Sequence, residues 1–340
     1  SELQALIDSA ESDATVALPA GRFAGTLDFR GKRVNLAGAE GDTPTILESH
    51  DSSESILKKG ADYIKVSNIT FKTSGGLIVE DFDENLTIEN SLIMPLEGQT
   101  HNVDTLLNSK SYRLLNSTVK NFGLEGQSTC TSLIHQHEGS SYERHIYLER
   151  NLFLDNNCDQ LILKDTNPYA TVLHTLNNNT FVNSPTLLKI SENSQRSDPT
   201  HIVNNIMVNI DLLIDAEETA FASAYASHNE IPRLYSSRNL LWNSQREATL
   251  TGDLLSRGGV SIGKTDLNED PLFMDSENGD YRPAFNSPVI DRGVQPREYE
   301  WTWDNYIDEF KQPLESDKIQ PIDGNLDGHL TFDIGAYEFD

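Results

Sequence analysis

Positive charge is scarce in this chain: 26 Lys and Arg stand against 53 Asp and Glu in 340 residues, a net charge of 26 − 53 = −27 with His neutral. That balance argues against generic nucleic-acid binding, which needs Lys and Arg to neutralise phosphates. It suits a protein in salty surroundings or one that uses bound cations. No uninterrupted apolar run exceeds a few residues, so no membrane-spanning helix is expected. Ser1–Ala10 has neither a basic nor an apolar stretch and does not read as a signal peptide. Cysteine is almost absent: Cys130 and Cys158, 28 residues apart, are either one disulfide or two small buried hydrophobes. Also missing are G-x-x-x-x-G-K-[ST], G-x-G-x-x-G before a helix, G-x-S-x-G and H-E-x-x-H, which removes the common phosphate-loop, dinucleotide, serine-elbow and zinc-protease readings. What is present is 37% apolar and 23% charged residues, enough for a sizeable core and unlike a disordered or collagen-like chain.

The middle of the chain repeats. Seven segments carry an apolar or β-branched run, an Asn and another apolar run, with the Asn at Asn68, Asn90, Asn116, Asn151, Asn179, Asn205 and Asn239. Their spacings are 22, 26, 35, 28, 26 and 34 residues. A second apolar run follows each, as in Leu106–Leu107, Leu133–Ile134, Leu161–Leu163, Leu187–Leu188 and Leu212–Ile214. Short strands with no helical pattern between them do not build an alternating α/β fold. A repeat of this length with several strands per period fits a right-handed parallel β-helix, a pectate-lyase-like all-β solenoid in which each repeat is one coil. The Asn is expected at a turn, where it tolerates the left-handed conformation and can bond to the next coil. The two long spacings imply loops inserted at Leu124–Arg144 and Glu217–Pro232.

Both ends read as caps on a single domain. Residues 1–12 place Leu3, Leu6 and Ile7 at helical spacing, a short helix to cover the first coil. Coils fill 13–267, and 268–340 is an irregular C-terminal wrap. This stretch contains Asp270-Pro-Leu-Phe-Met-Asp275, Ser287-Pro-Val-Ile-Asp291 and Asp333-Ile-Gly-Ala-Tyr-Glu-Phe339. It resembles the tail of many secreted bacterial β-helix proteins, which implies a secreted or periplasmic location.

Registering the second strands on their apolar pairs puts Asn108, His135, Lys164, Lys189 and Asp215 in one outward column, roughly 4.8 Å apart from coil to coil. His137 and Glu217 lie two positions beyond His135 and Asp215 in this register. Two stacked lysines are either a solvated face or a basic patch for an anionic ligand, in which one Lys is tuned towards general-base work and His transfers protons.

The stretches Asp159-Gln-Leu-Ile-Leu-Lys-Asp165, Asn177-Asn-Asn-Thr-Phe-Val-Asn183 and Leu187-Leu-Lys-Ile190 resemble the core of polysaccharide lyase family 6, the alginate lyases and chondroitinase B. The resemblance implies a right-handed parallel β-helix that cleaves a uronate polymer, alginate foremost, by β-elimination. It implies Lys164 as the base that takes the C5 proton and Lys189 in the position of the acid. Lys189 stands where the family has Arg and is followed by Ile-Ser rather than His-Gly, so Arg196 and His201 are alternative acids. His135, His137, Arg196, His201 and Asp215 are the expected substrate-binding residues. The family's use of Ca²⁺ implies a site at Asp159 with Asn157, although Ca²⁺ takes six to eight oxygens.

Other readings stay open. A β-helix glycoside hydrolase needs two or three carboxylates, which Asp155, Asp159, Asp165 and Asp215 could supply, but adjacent Asp-Asp and Gly-His-Gly are absent. A carbohydrate-binding or adhesive surface protein is the non-enzymatic alternative. His135-Gln-His137-Glu138 invites a zinc reading without a visible third ligand, and Asp323-Gly-Asn-Leu-Asp-Gly328 resembles a fragment of a Ca²⁺ loop. The expected partner is an anionic polysaccharide and the expected state a monomer.

Overall fold

The computed structural model describes residues 2–82, 86–99, 102–109, 112–124, 128–136, 144–164, 172–190, 200–216, 234–244, 248–249, 260–262, 265–294 and 332–337. They form a right-handed parallel β-helix with three faces. The first sheet has ten parallel strands among these residues, from Thr15–Ala17 to Val260–Ile262. The second runs from Gly21–Ala24 to Leu240–Trp242. The third begins with Leu27–Asp28, Leu57–Lys58, Val79–Phe82 and Leu107–Ser109 and continues through Ser132–Gln136 and Gln160–Lys164. The 11-residue strands Thr180–Ile190 and Ile206–Ala216 pass from the second face to the third without a break.

Alternation puts one row of each sheet inside. On the first sheet the inward row is Leu36, Val66, Ile88, Leu114, Leu148, Leu176 and Ile202. On the second it is Leu47, Phe71, Ile93, Val119, Phe153, Phe181, Met207 and Leu241. These residues belong to one continuous core, and the Phe153 and Phe181 rings stack with centroids 4.9 Å apart. Like residues stacking along the axis keep each coil's volume matched to its neighbour's, so the repeat becomes a packed column.

The asparagines divide between two adjacent rows at the corner joining the first and second sheets. Asn68, Asn90, Asn116, Arg150, Asn178, Asn204 and Arg238 hold the left-handed conformation, with φ between 47° and 58°. The next residue in each coil builds a buried ladder. The backbone N–H of Asn151, Asn179 and Asn205 donates to the Oδ1 of Asn179, Asn205 and Asn239 at 2.9–3.0 Å. Each of these amides also donates its Nδ2 to the next Oδ1 at 3.0 Å. Ser91 and Ser117 occupy this ladder row in the earlier coils, as Ser91 N–H donates to Ser117 Oγ and Ser117 N–H to Asn151 Oδ1. The expectation that all seven asparagines are equivalent is thereby corrected. Asn68, Asn90 and Asn116 supply the turn conformation, whereas Asn151 to Asn239 supply the ladder.

The N-terminal cap is the helix Glu2–Ser9, which buries Leu3 and Ile7. Gln4 exchanges two hydrogen bonds with the backbone of Asp28, and the Lys32 ammonium donates to the Ile7, Asp8 and Ala10 carbonyls. The helix thus covers the edge strand Leu27–Asp28, which would otherwise be open to further pairing.

The described part of the C-terminal wrap folds back along the second sheet. There the outward residues change from the mixed Thr70, Lys72, Leu92, Met94, Thr118 and Lys120 to Leu152, Leu154, Thr180, Val182, Ile206, Val208 and Leu240, apolar except for Thr180. Phe273, Tyr281, Val289, Ile334 and Tyr337 cover this apolar stripe. Asn178 and Asn204 use their side chains to hold the Asp333 carbonyl and the backbone of Val294.

Cys130 and Cys158 form a disulfide, so the first of the two readings left open by the sequence is correct. Cys130 lies in the short strand Thr129–Cys130, which pairs with Asn102–Val103, so the segment Leu124–Arg144 carries regular structure as well as loop.

Candidate functional site

The third sheet carries the expected polar column, with one correction. In register with Lys189 and Asp215 stand His135 and Leu163 on one side and Thr249 on the other. Lys164 pairs instead with Gln136 and Ile190, one position further along. The cause is the run Leu161-Ile162-Leu163. Leu161 and Ile162 are the core pair equivalent to Leu133–Ile134 and Leu187–Leu188, and Leu163 takes the register position assigned to Lys164.

Lys189 and Asp215 are neighbours across strands, Nζ to Oδ2 3.9 Å, each with 36% of its side chain exposed. At that distance and exposure the pair contributes little to stability. His135 lies two strands away in the same row. The His135 and Lys164 side chains, and all of His137 and Arg196, lie outside the described residues.

His201 is elsewhere. It sits on the first sheet, in the row Arg113, Tyr147, Thr175, His201 and Tyr235, and is only 3% exposed. The expectation that it substitutes for Lys189 as acid fails on topology, because the two residues lie on different sheets. Asn157 and Asp159 by themselves do not complete a Ca²⁺ site. The Asn157 amide donates to the Gly123 carbonyl, and two side chains fall short of the six to eight oxygens the ion takes. Among the described residues no cluster of three or more His, Cys, Asp or Glu is found, and Asp323–Gly328 lies outside them.

Sequence reasoning passed over a second group, on the first sheet. Arg113 is 9% exposed, its guanidinium 5.9 Å from the Tyr147 ring centre and 3.8 Å from a Glu149 carboxylate oxygen. Burial pushes the Tyr147 phenol up to about 12, against the opposing pull of the Arg113 cation. The signal was present in Arg113-Leu114 and Tyr147-Leu148-Glu149, where polar residues alternate with core leucines at strand period.

No family model and no curated protein matches this chain. The β-helix itself is compatible with proteins that act on polysaccharides.

Proposed function

We propose that the protein is a polysaccharide lyase that cleaves an anionic uronate polymer, with alginate the first candidate. The observation that carries this reading is the half-exposed Lys189–Asp215 pair on the outward row of the third sheet, with His135 in the same row. Lys164 lies one register position away on the strand between them. In a chain of net charge −27, a local cationic group is what would let a polyanion settle on the surface.

The reaction requires three things of the protein. The uronate carboxylate must be neutralised, which falls to the cations of this face. A neutral basic group of this row takes the C5 proton, and the electrons of that C–H bond form the C4=C5 double bond. The C4–O bond breaks, and the leaving oxygen takes a proton from Lys189. The product is a 4,5-unsaturated uronate at the new non-reducing end. No step is routed through Ca²⁺. The Cys130–Cys158 disulfide supports an oxidising, exported location.

The test is ultraviolet detection of unsaturated uronate on alginate, polymannuronate, polyguluronate, pectate and chondroitin sulfate, with Ca²⁺ and with chelator. Turnover is expected on alginate, and Lys189→Ala should lower kcat by roughly 10²–10⁴-fold, whereas Lys164→Ala, one register position off the row, should not. A folded wild type that is silent on every polymer overturns the lyase reading in favour of a binding protein or hydrolase.

A further inference from the structure

The first turns of the solenoid form a cleft that the lyase reading does not use. It lies where the third sheet turns into the first, between the link from helix Glu2–Ser9 to Thr15–Ala17 and the turns that follow Leu27–Asp28 and Leu57–Lys58. Ser12, Gly31, Lys32, Arg33, Ala61 and Asp62 line a volume of about 460 Å³, within the roughly 300–1,000 Å³ of small-molecule sites. Backbone bonds fix its walls to one another. The Asp13 N–H donates to the Arg33 carbonyl at 2.7 Å, Gly31 to Lys59 at 2.7 Å and Ala61 to Lys32 at 3.4 Å. Ser12, Gly31, Arg33 and Asp62 are all exposed, so the cleft stands open.

Its polar groups are balanced in charge. The Lys32 ammonium is taken up by the carbonyls of Ile7, Asp8 and Ala10. Asp13 pairs with the Nε and Nη2 side of Arg33, and among the described residues Nη1 donates no hydrogen bond. The hydrogen bond to Asp13 holds Arg33 above its ordinary range, with further support from the Asp13 charge, Asp62 and Tyr63. Asp62 and Tyr63 therefore stand close to the guanidinium. Tyr63 is 45% exposed and has φ 59°, a conformation that a bulky side chain adopts at a cost. Its ring thus neither fills the core nor suits its turn, and lies exposed beside Asp62.

We propose that this cleft binds a hexose unit of a neutral saccharide, with its hydroxyls bonded to Asp62 and Arg33 and one ring face against Tyr63. A sugar hydroxyl both donates and accepts, so it suits a carboxylate and a guanidinium side by side. The C–H face of a pyranose is apolar, and the tyrosine ring gives it a platform with a polar tip. A sugar carboxylate or sulfate would meet Asp13 and Asp62 as well as Arg33, and the field of a chain of charge −27 opposes it further. The proposal is independent of the lyase reading. It concerns the first two coils, and a sugar with no carboxylate at C5 is not a substrate for β-elimination.

Calorimetric titration of the full chain would use cellotriose, maltotriose and mannotriose as neutral probes and a mannuronate trisaccharide as the acidic one. The Lys189→Ala background keeps turnover of the acidic probe out of the measurement. Saturable binding of at least one neutral sugar is expected, tighter than that of the mannuronate. Asp62→Ala and Tyr63→Ala should each weaken it roughly fivefold or more, whereas Tyr63→Phe, which keeps the ring, should stay within about twofold. Both residues are exposed, so these variants keep the fold. The proposal is overturned if no neutral trisaccharide binds, or if the mannuronate binds as tightly as the best of them. Unchanged affinity in Asp62→Ala or in Tyr63→Ala overturns it as well.

Discussion

At the corner between the first two sheets, Asn179 is fully buried and takes part in four side-chain hydrogen bonds. It donates to the Leu148 carbonyl and to Asn205, and accepts the backbone and side-chain N–H of Asn151. Asn179→Ala would leave several buried groups unpaired, at about 1–3 kcal/mol each. A loss of about 3 kcal/mol or more in unfolding free energy is expected by denaturant titration. Asn116 looks like the same repeat residue but is exposed, and it supplies a φ of 47°. Asn116→Gly should therefore change stability by only a few tenths of a kcal/mol, while Asn116→Val should cost about 1–2 kcal/mol. Equal effects at the two positions would refute the division into a turn row and a ladder row.

Tyr147 gives a pH dependence at the same scale. Its folded pKa of about 12 lies above the ordinary value of 10. Below pH 10 both states are protonated and the phenol is neutral in its effect. As pH rises from 10 to 12 the unfolded chain loses this proton first, so stability falls by up to about 2–3 kcal/mol. Tyr147→Phe should remove that part of the alkaline loss, as followed by denaturant midpoints across this window.

Among the elements, two attachments are open to test. The disulfide spans 28 residues and constrains the unfolded chain. Replacing both cysteines by serine should lower stability by about 3–4 kcal/mol, measured by thermal or denaturant melts against the oxidised protein. The C-terminal wrap makes one close approach to the second sheet: Gly335 has φ 105°, and a Cβ there would come 2.5 Å from the Ile206 side chain. Gly335→Val should lift the wrap from the second sheet and expose the stripe of Leu152, Val182 and Ile206. Faster cleavage within the wrap by limited proteolysis, with increased binding of a hydrophobic dye, is the expected readout. Unchanged proteolysis would mean that this contact does not hold the wrap.

For the whole molecule, a charge of −27 opposes the approach of any polyanion. If the protein acts on such a polymer, kcat/KM should rise as salt is added from low to physiological ionic strength, because screening shortens the repulsive field to roughly 8–10 Å while leaving close contacts largely intact. A steady fall with salt would show that a local basic patch governs the encounter instead.

Composition and repeat pattern were enough to determine the solenoid, its capping helix and its inward rows, because core burial repeats every second residue within a strand and like residues stack from coil to coil. The covered second sheet was also legible in principle, since its outward positions turn apolar where the wrap packs. Tertiary structure alone decided the rest. A run such as Leu161-Ile162-Leu163 satisfies either strand parity, so only the ladder bonds to Ser132–Gln136 and Thr180–Ile190 put Leu163, and not Lys164, beside Lys189. The Asn repeat likewise left a one-residue choice between turn and ladder, although it did set His201, four residues before Asn205, in the strand ahead of that corner. A slip of one residue reverses a strand's two faces at no local cost, and only hydrogen bonds between distant coils set its register.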